Sequence, residues 1–150
     1  MNLSQVFPVI IGLATLVNGI IPTMAASRIP ITCAKLTAID GDSIKCDGVN
    51  MRDMGDGAPF VSGYDTPETR KAKCEAEKSL GLIARKRMAQ LLTTPGLVIY
   101  DSGVTDGRYQ RPLVWIMLPD GRSVGSVMIA EGLAKVWTPD YIPEWCLTAS

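Results

Sequence analysis

The chain has 150 residues, with 15 Lys and Arg against 15 Asp and Glu, and no histidine. The length fits one ordinary domain, and zero net charge excludes a basic nucleic-acid coat or an acidic tail as a global feature. Without histidine there is no Ser–His or Cys–His nucleophile pair, no histidine-ligated zinc or haem, and no histidine base. Acid–base chemistry falls to carboxylates, Lys, Tyr or Cys, and side-chain metal sites to oxygen or sulfur donors.

The first charged side chain is Arg28, and Val6 to Ile21 is mostly apolar. Small residues at Thr23 and Ala25 suit signal-peptidase cleavage after Ala25, with Ala26 as the next choice. The expectation is a signal peptide at 1–25, a mature domain at 26–150, and a secreted or periplasmic protein with no stable membrane association once cleaved. The alternative is a retained N-terminal membrane anchor, although Pro8 and Asn18 interrupt the apolar run.

Ile31–Ile39 and Ser43–Cys46 flank Asp40-Gly41, a strong hairpin signal. Residues 53–63 read as an irregular loop or bulged strand. Ala76, Leu80, Ile83, Ala84, Met88 and Leu91 recur at helical spacing, so a helix is expected over Cys74–Leu92, ended by Pro95-Gly96. Leu97–Tyr100 reads as a strand, Asp101–Gln110 as a loop and Pro112–Leu118 as a strand. A short helix is expected between Ser123 and Gly132, then a strand over Leu133–Trp137. Short strands with turn signals around one long helix point to an OB-like α+β fold: a small five-stranded Greek-key barrel with two or three helices outside.

Cys33, Cys46, Cys74 and Cys146 make an even set behind the leader, with three possible connectivities. Cys33 and Cys46 flank the expected hairpin on one face, which favours Cys33–Cys46 with Cys74–Cys146. Trp115 is expected in the core, and Trp137 and Trp145 in tail packing. The basic residues between Arg70 and Arg87 outnumber Glu75 and Glu77, and form either a rim near a site or a solvated helix face.

Three patterns carry the chemistry: Asp40-Gly41-Asp42-Ser43, Asp65-Thr66-Pro67-Glu68, and Arg111 after Asp106-Gly107-Arg108-Tyr109-Gln110, with Arg52 between the first two. Each alone has a structural explanation as a turn, a helix cap or a surface charge. Together they are the parts of a metal-dependent phosphodiesterase. Carboxylates hold a hard cation, arginines neutralise charge developing on a phosphoryl group, and a further carboxylate takes a proton from water.

The segments AIDGDSIK, DTPE, CEAEKSLGLIARKRMAQLL and DGRYQRPLVWIMLPDGRSVGSVMIAEGLAKV, over about residues 35–137, resemble the staphylococcal-nuclease-like (thermonuclease) family. The resemblance implies a Ca²⁺-dependent enzyme hydrolysing DNA and RNA to products ending in 3′-phosphate. Single-stranded or frayed substrate and a monomeric state go with it. It implies Ca²⁺ binding by the side chains of Asp42 and Asp65 and the backbone carbonyl of Thr66. Glu68 would act on the attacking water, and Arg111 and Arg52 on the phosphate, with Tyr109 near the nucleotide. The family's arginine before the DTPE aspartate is replaced by Phe60. Residues 53–60 therefore read as an insertion that leaves Arg52 at the strand position. Ser43 stands for the commoner Thr, Gln110 for a Gly, and a Pro-rich tail for a third helix, with a Cys74–Cys146 bond to hold that tail. The alternative function is a non-catalytic OB-like module that binds nucleic acid or protein.

Overall fold

The computed structural model describes residues 28–146, and the expected signal segment lies outside them. The strands are β1 (Ile29–Ile31), β2 (Leu36–Ala38), β3 (Ser43–Cys46), β4 (Val49–Asp53), β5 (Gly63–Asp65), β6 (Val98–Thr105), β7 (Pro112–Met117) and β8 (Lys135–Trp137). The helices are α1 (Glu75–Leu91) and α2 (Val124–Ala130). Six strands form one curled sheet in the order β1-β6-β7-β4-β3-β2, and β5 pairs with β8 in a separate ribbon. Neighbours in the large sheet are antiparallel except β4 and β7, which run parallel. This is the expected OB-like α+β fold, with more strands than the sequence patterns separate.

The concave side of the sheet and the two helices enclose Ile44, Met51, Tyr64, Met88, Ile116 and Met128, all buried. Each such side chain contributes about 1.5–3 kcal/mol by leaving water. Trp115 lies in a smaller cluster with Met54 and Leu113, and its indole N–H donates to the Gly57 carbonyl at 2.8 Å. Both favoured disulfides are present, Cys33–Cys46 and Cys74–Cys146.

Three segments differ from the sequence reading. Val49–Asp53 is a full strand, joined to β3 by Asp47-Gly48 with φ of 47° and 91°. Two consecutive left-handed residues match the twist of a tight hairpin, and Asp-Gly supplies them. The strand after Leu97 does not stop at Tyr100 but continues to Thr105. The β6–β7 register shifts between Asp101 and Thr105, and Gly103 at φ 76° sits inside that irregularity. A β-bulge absorbs the polar, glycine-containing stretch that reads as a loop.

The third difference is the face of α1. Its buried residues are Glu77, Gly81, Ala84, Met88 and Leu91, whereas Ile83 is 55% exposed and Ala76 is exposed. The rotation brings Gly81, not Leu80, against the chain that follows β5. A Cβ at Gly81 would lie 2.7 Å from the Pro67 carbonyl oxygen and 2.8 Å from that of Glu68. Gly81→Ala gains about 1 kcal/mol of helix propensity but overpacks a backbone contact, at a cost of roughly 1–3 kcal/mol. The expected result is a lower urea midpoint; a higher one would show that the Pro67–Glu68 backbone yields freely.

Candidate active site

The sequence-selected residues come from four segments. The β2–β3 turn supplies Asp42, β4 supplies Arg52, and the end of β5 with its continuation supplies Asp65, Thr66 and Glu68. The start of β7 is preceded by Arg111. Close backbone approach joins the first and third. A Cβ at Gly41 would lie 2.8 Å from the Thr66 side chain and 2.9 Å from that of Ala84, so only glycine lets the turn lie on Thr66.

Asp42 is buried, 5% exposed. Its Oδ1 accepts from the Ser43 hydroxyl at 2.9 Å, and its Oδ2 accepts from the Thr66 backbone N–H at 3.3 Å. Arg52 lies between the acids: Nη1 is 3.0 Å from Asp42 Oδ2, and Nη2 is 3.8 Å from Asp65 Oδ1. Nη2 also donates to the Tyr64 carbonyl at 2.8 Å. Burial opposes the Arg52 charge, but Asp42 and Asp65 outweigh it and hold its pKa above the ordinary value. The excursion between Arg52 and Asp65 therefore leaves both at the site, and Phe60 is 61% exposed on the intervening loop.

Arg111 approaches from the start of β7. Its Nε donates to Asp106 Oδ2 at 2.7 Å and its Nη1 to the Ser43 hydroxyl at 3.2 Å. Asp106 also accepts from the Tyr109 backbone N–H at 2.7 Å. Burial pushes the Asp106 pKa up, but the bonds from Arg111 and the backbone prevail and lower it. Tyr109 packs its ring under Arg111, 5.0 Å from the guanidinium carbon.

Asp42, Ser43, Arg52, Thr66, Glu68 and Arg111 line one groove of about 690 Å³. Arg70, Lys71 and Arg108 stand along it, so part of the basic rim faces the site. Farther along α1, Arg87 instead pairs with Glu131 at 2.7 Å. Glu68 is exposed, and its backbone N–H donates to Glu77 Oε1 at 3.3 Å. Partial burial raises the Glu68 pKa, and Asp42, Asp40, Asp65 and Glu77 raise it further. The Asp65 pKa is raised first by burial, then by Asp42 and Glu77, against the lowering effect of Trp145 and Arg52.

Mutually repelling oxygen donors on one groove suit a hard divalent cation. A separate convergence of Cys74, Glu77 and Cys146 does not, because both sulfurs are joined in a disulfide.

Two site residues escape sequence reasoning. Asp53 is completely buried; its Oδ2 accepts from the Tyr64 hydroxyl at 2.9 Å, and its Oδ1 from the N–H groups of Gly55 at 3.2 Å and Ile116 at 3.1 Å. It thereby ties β4, β5 and β7 together beneath the groove. Trp145, expected only in tail packing, donates its indole N–H to Asp65 Oδ2 at 2.9 Å. Met51 and Asp53 are buried on either side of half-buried Arg52, an alternation that only the structure shows.

Two acids are thus joined by one arginine on a curled OB-like sheet, and a second arginine lines the same groove as Asp42. The pattern of the staphylococcal nuclease homologue family matches residues 60–145, more than half of the chain. The chain belongs to that family. Asp42 and Arg52 lie before the matched span. Endonuclease YncB of Bacillus subtilis (strain 168) is 35% identical over 100 residues, 66% of this chain and 44% of the relative. SPbeta prophage-derived endonuclease YokF of the same organism is 34% identical over 100 residues, 66% of this chain and 32% of the relative. The chain thus matches less than half the length of either.

Proposed function

We propose that this protein is a secreted or periplasmic Ca²⁺-dependent nuclease that hydrolyses DNA and RNA and leaves 3′-phosphate ends. The observation that carries the reading is the convergence of Asp42, Thr66, Glu68, Arg52 and Arg111 on one groove, with Arg52 bridging to Asp65. Asp42 and Asp65 through their carboxylates, and Thr66 through its carbonyl, hold the cation. When bound, the cation supplies positive charge against the phosphoryl oxygens. Glu68 takes the proton from the attacking water, whose oxygen joins phosphorus as the P–O5′ bond breaks, and the departing 5′ oxygen takes a proton from solvent water to leave as a hydroxyl. A raised pKa makes Glu68 a stronger base than an ordinary carboxylate.

Arg111, fixed by Asp106 and Ser43, presents its guanidinium to the phosphate. Arg52 keeps the two acids together and adds a second positive charge. Arg70, Lys71 and Arg108 bind flanking phosphates, so affinity falls steeply with salt on an otherwise neutral chain. A single or frayed strand bends its backbone into the groove more readily than a duplex. Two disulfides support an oxidising compartment. A monomer suffices, since every group named belongs to one chain.

The test is end-group analysis of DNA and RNA oligonucleotides by mass spectrometry, with Arg111→Ala alongside wild type. Expected are 3′-phosphate products, and a rate lower by roughly 10²–10³-fold in the variant. Products ending in 3′-hydroxyl would contradict the proposed bond cleavage. Tight binding without cleavage would favour the non-catalytic module.

A further inference from the structure

The segment after β8 turns back to Asp65. Thr138 and Tyr141 exchange backbone hydrogen bonds at 3.1 and 3.0 Å, Pro143 is buried, and Cys146 is bonded to Cys74 at the N-cap of α1. Between these anchors, Trp145 is fixed on its edge and its face. Its N–H reaches Asp65 Oδ2 at 2.9 Å, and the Lys135 ammonium lies 4.3 Å from the ring centroid. Lys135 is also the ribbon partner of Asp65, and its ammonium donates to the Glu144 carbonyl at 2.7 Å. The tail therefore grips the backbone position that carries Asp65 and one of its two carboxylate oxygens.

A carboxylate turns about its last bond unless something holds one oxygen. Here the indole occupies Oδ2, and Oδ1 is the oxygen on the Arg52 side, 3.8 Å from Nη2. We propose that Trp145 is a positioning residue that orients the Asp65 carboxylate for cation binding, and that Cys74–Cys146 holds it in place. This rests on the reading of Asp65 as a cation ligand. Partners that orient ligands in this way typically change metal affinity by 10–100-fold when removed.

The experiment measures Ca²⁺ affinity by calorimetry and thermal midpoint in EDTA. It compares the full chain with Trp145→Phe, the Cys74→Ser/Cys146→Ser double variant and Asp65→Asn. Trp145→Phe keeps the ring face over Lys135 and removes only the donor. The double variant keeps the indole and frees its strap. Both are expected to weaken Ca²⁺ binding by roughly tenfold, with the Trp145→Phe midpoint within a few degrees of wild type. Wild-type affinity in either variant overturns the proposal. A large fall in the Trp145→Phe midpoint with unchanged affinity assigns Trp145 to packing and overturns it too. Wild-type affinity in Asp65→Asn, or no Ca²⁺ binding by the wild type, overturns the cation-site reading itself and the positioning role with it.

Discussion

Glu68→Gln is expected to lower the single-turnover rate of oligonucleotide cleavage by roughly 10²–10⁴-fold, the usual worth of a positioned base. The substitution keeps the size of the side chain, and Glu68 is exposed. Its backbone N–H bond to Glu77 is untouched. Folding and substrate binding should therefore survive while turnover collapses. The comparison is a burst experiment at saturating Ca²⁺, paired with an electrophoretic binding assay. A rate within a few-fold of wild type would place the base elsewhere. Among the described residues the other acids on the groove are Asp40 and Asp42, and Asp42 is already bonded to Arg52, Ser43 and the Thr66 N–H. Asp40 accepts from the Thr69 hydroxyl.

The second large effect concerns stability. Burial pushes the Asp53 pKa up to about 7, in spite of the bonds it accepts from Tyr64, Gly55 and Ile116. An unfolded Asp titrates near its ordinary value of about 4. Below that pH both states are protonated and Asp53 adds no pH-dependent term. As pH rises from about 4 to about 7, the unfolded chain releases the proton while the folded chain keeps it, so stability falls across that window. Above about 7 the full difference, on the order of 4 kcal/mol, is lost.

Asp53→Asn removes this dependence. Its carbonyl still accepts from Gly55 and Ile116. Its amide donates to the Tyr64 oxygen, and the Tyr64 hydroxyl turns to the Gly41 carbonyl, 3.3 Å away. Urea unfolding at pH 4.5 and pH 8 is the check. The variant should gain about 2–4 kcal/mol relative to wild type between the two pH values. Parallel curves would mean that Asp53 is charged in the folded protein throughout.

The parts of the site legible in the sequence are those set by local chemistry. Asp40-Gly41 forms a turn wherever strands flank it, and Asp65-Thr66-Pro67-Glu68 carries its acids on one short segment. Arg111 keeps its spacing to the strand that follows. Arg52 was legible only through the resemblance, and the structure brings it to the acids because β4 pairs antiparallel with β3, which sets Arg52 opposite Ser43, the neighbour of Asp42. Asp53 was illegible because Asp disfavours strands and the following Met-Gly-Asp-Gly reads as loop. Only burial against Tyr64 and β7 reveals its partners. Trp145 was illegible for a longer-range reason: it meets Asp65 across 80 positions, beside a disulfide spanning 72. No local pattern encodes that geometry. Strand β4, expected at Arg52 only through the resemblance, is a different case, since its Asp47-Gly48 turn is as strong a hairpin signal as Asp40-Gly41.

The most direct test of a Ca²⁺-dependent nuclease is cleavage of a single-stranded DNA oligonucleotide by the purified protein, with Ca²⁺ and with excess EDTA. The expected result is cleavage in Ca²⁺ that disappears on chelation and returns when Ca²⁺ is restored. Undiminished cleavage in EDTA, or none in Ca²⁺ by a folded protein with both disulfides formed, would contradict it.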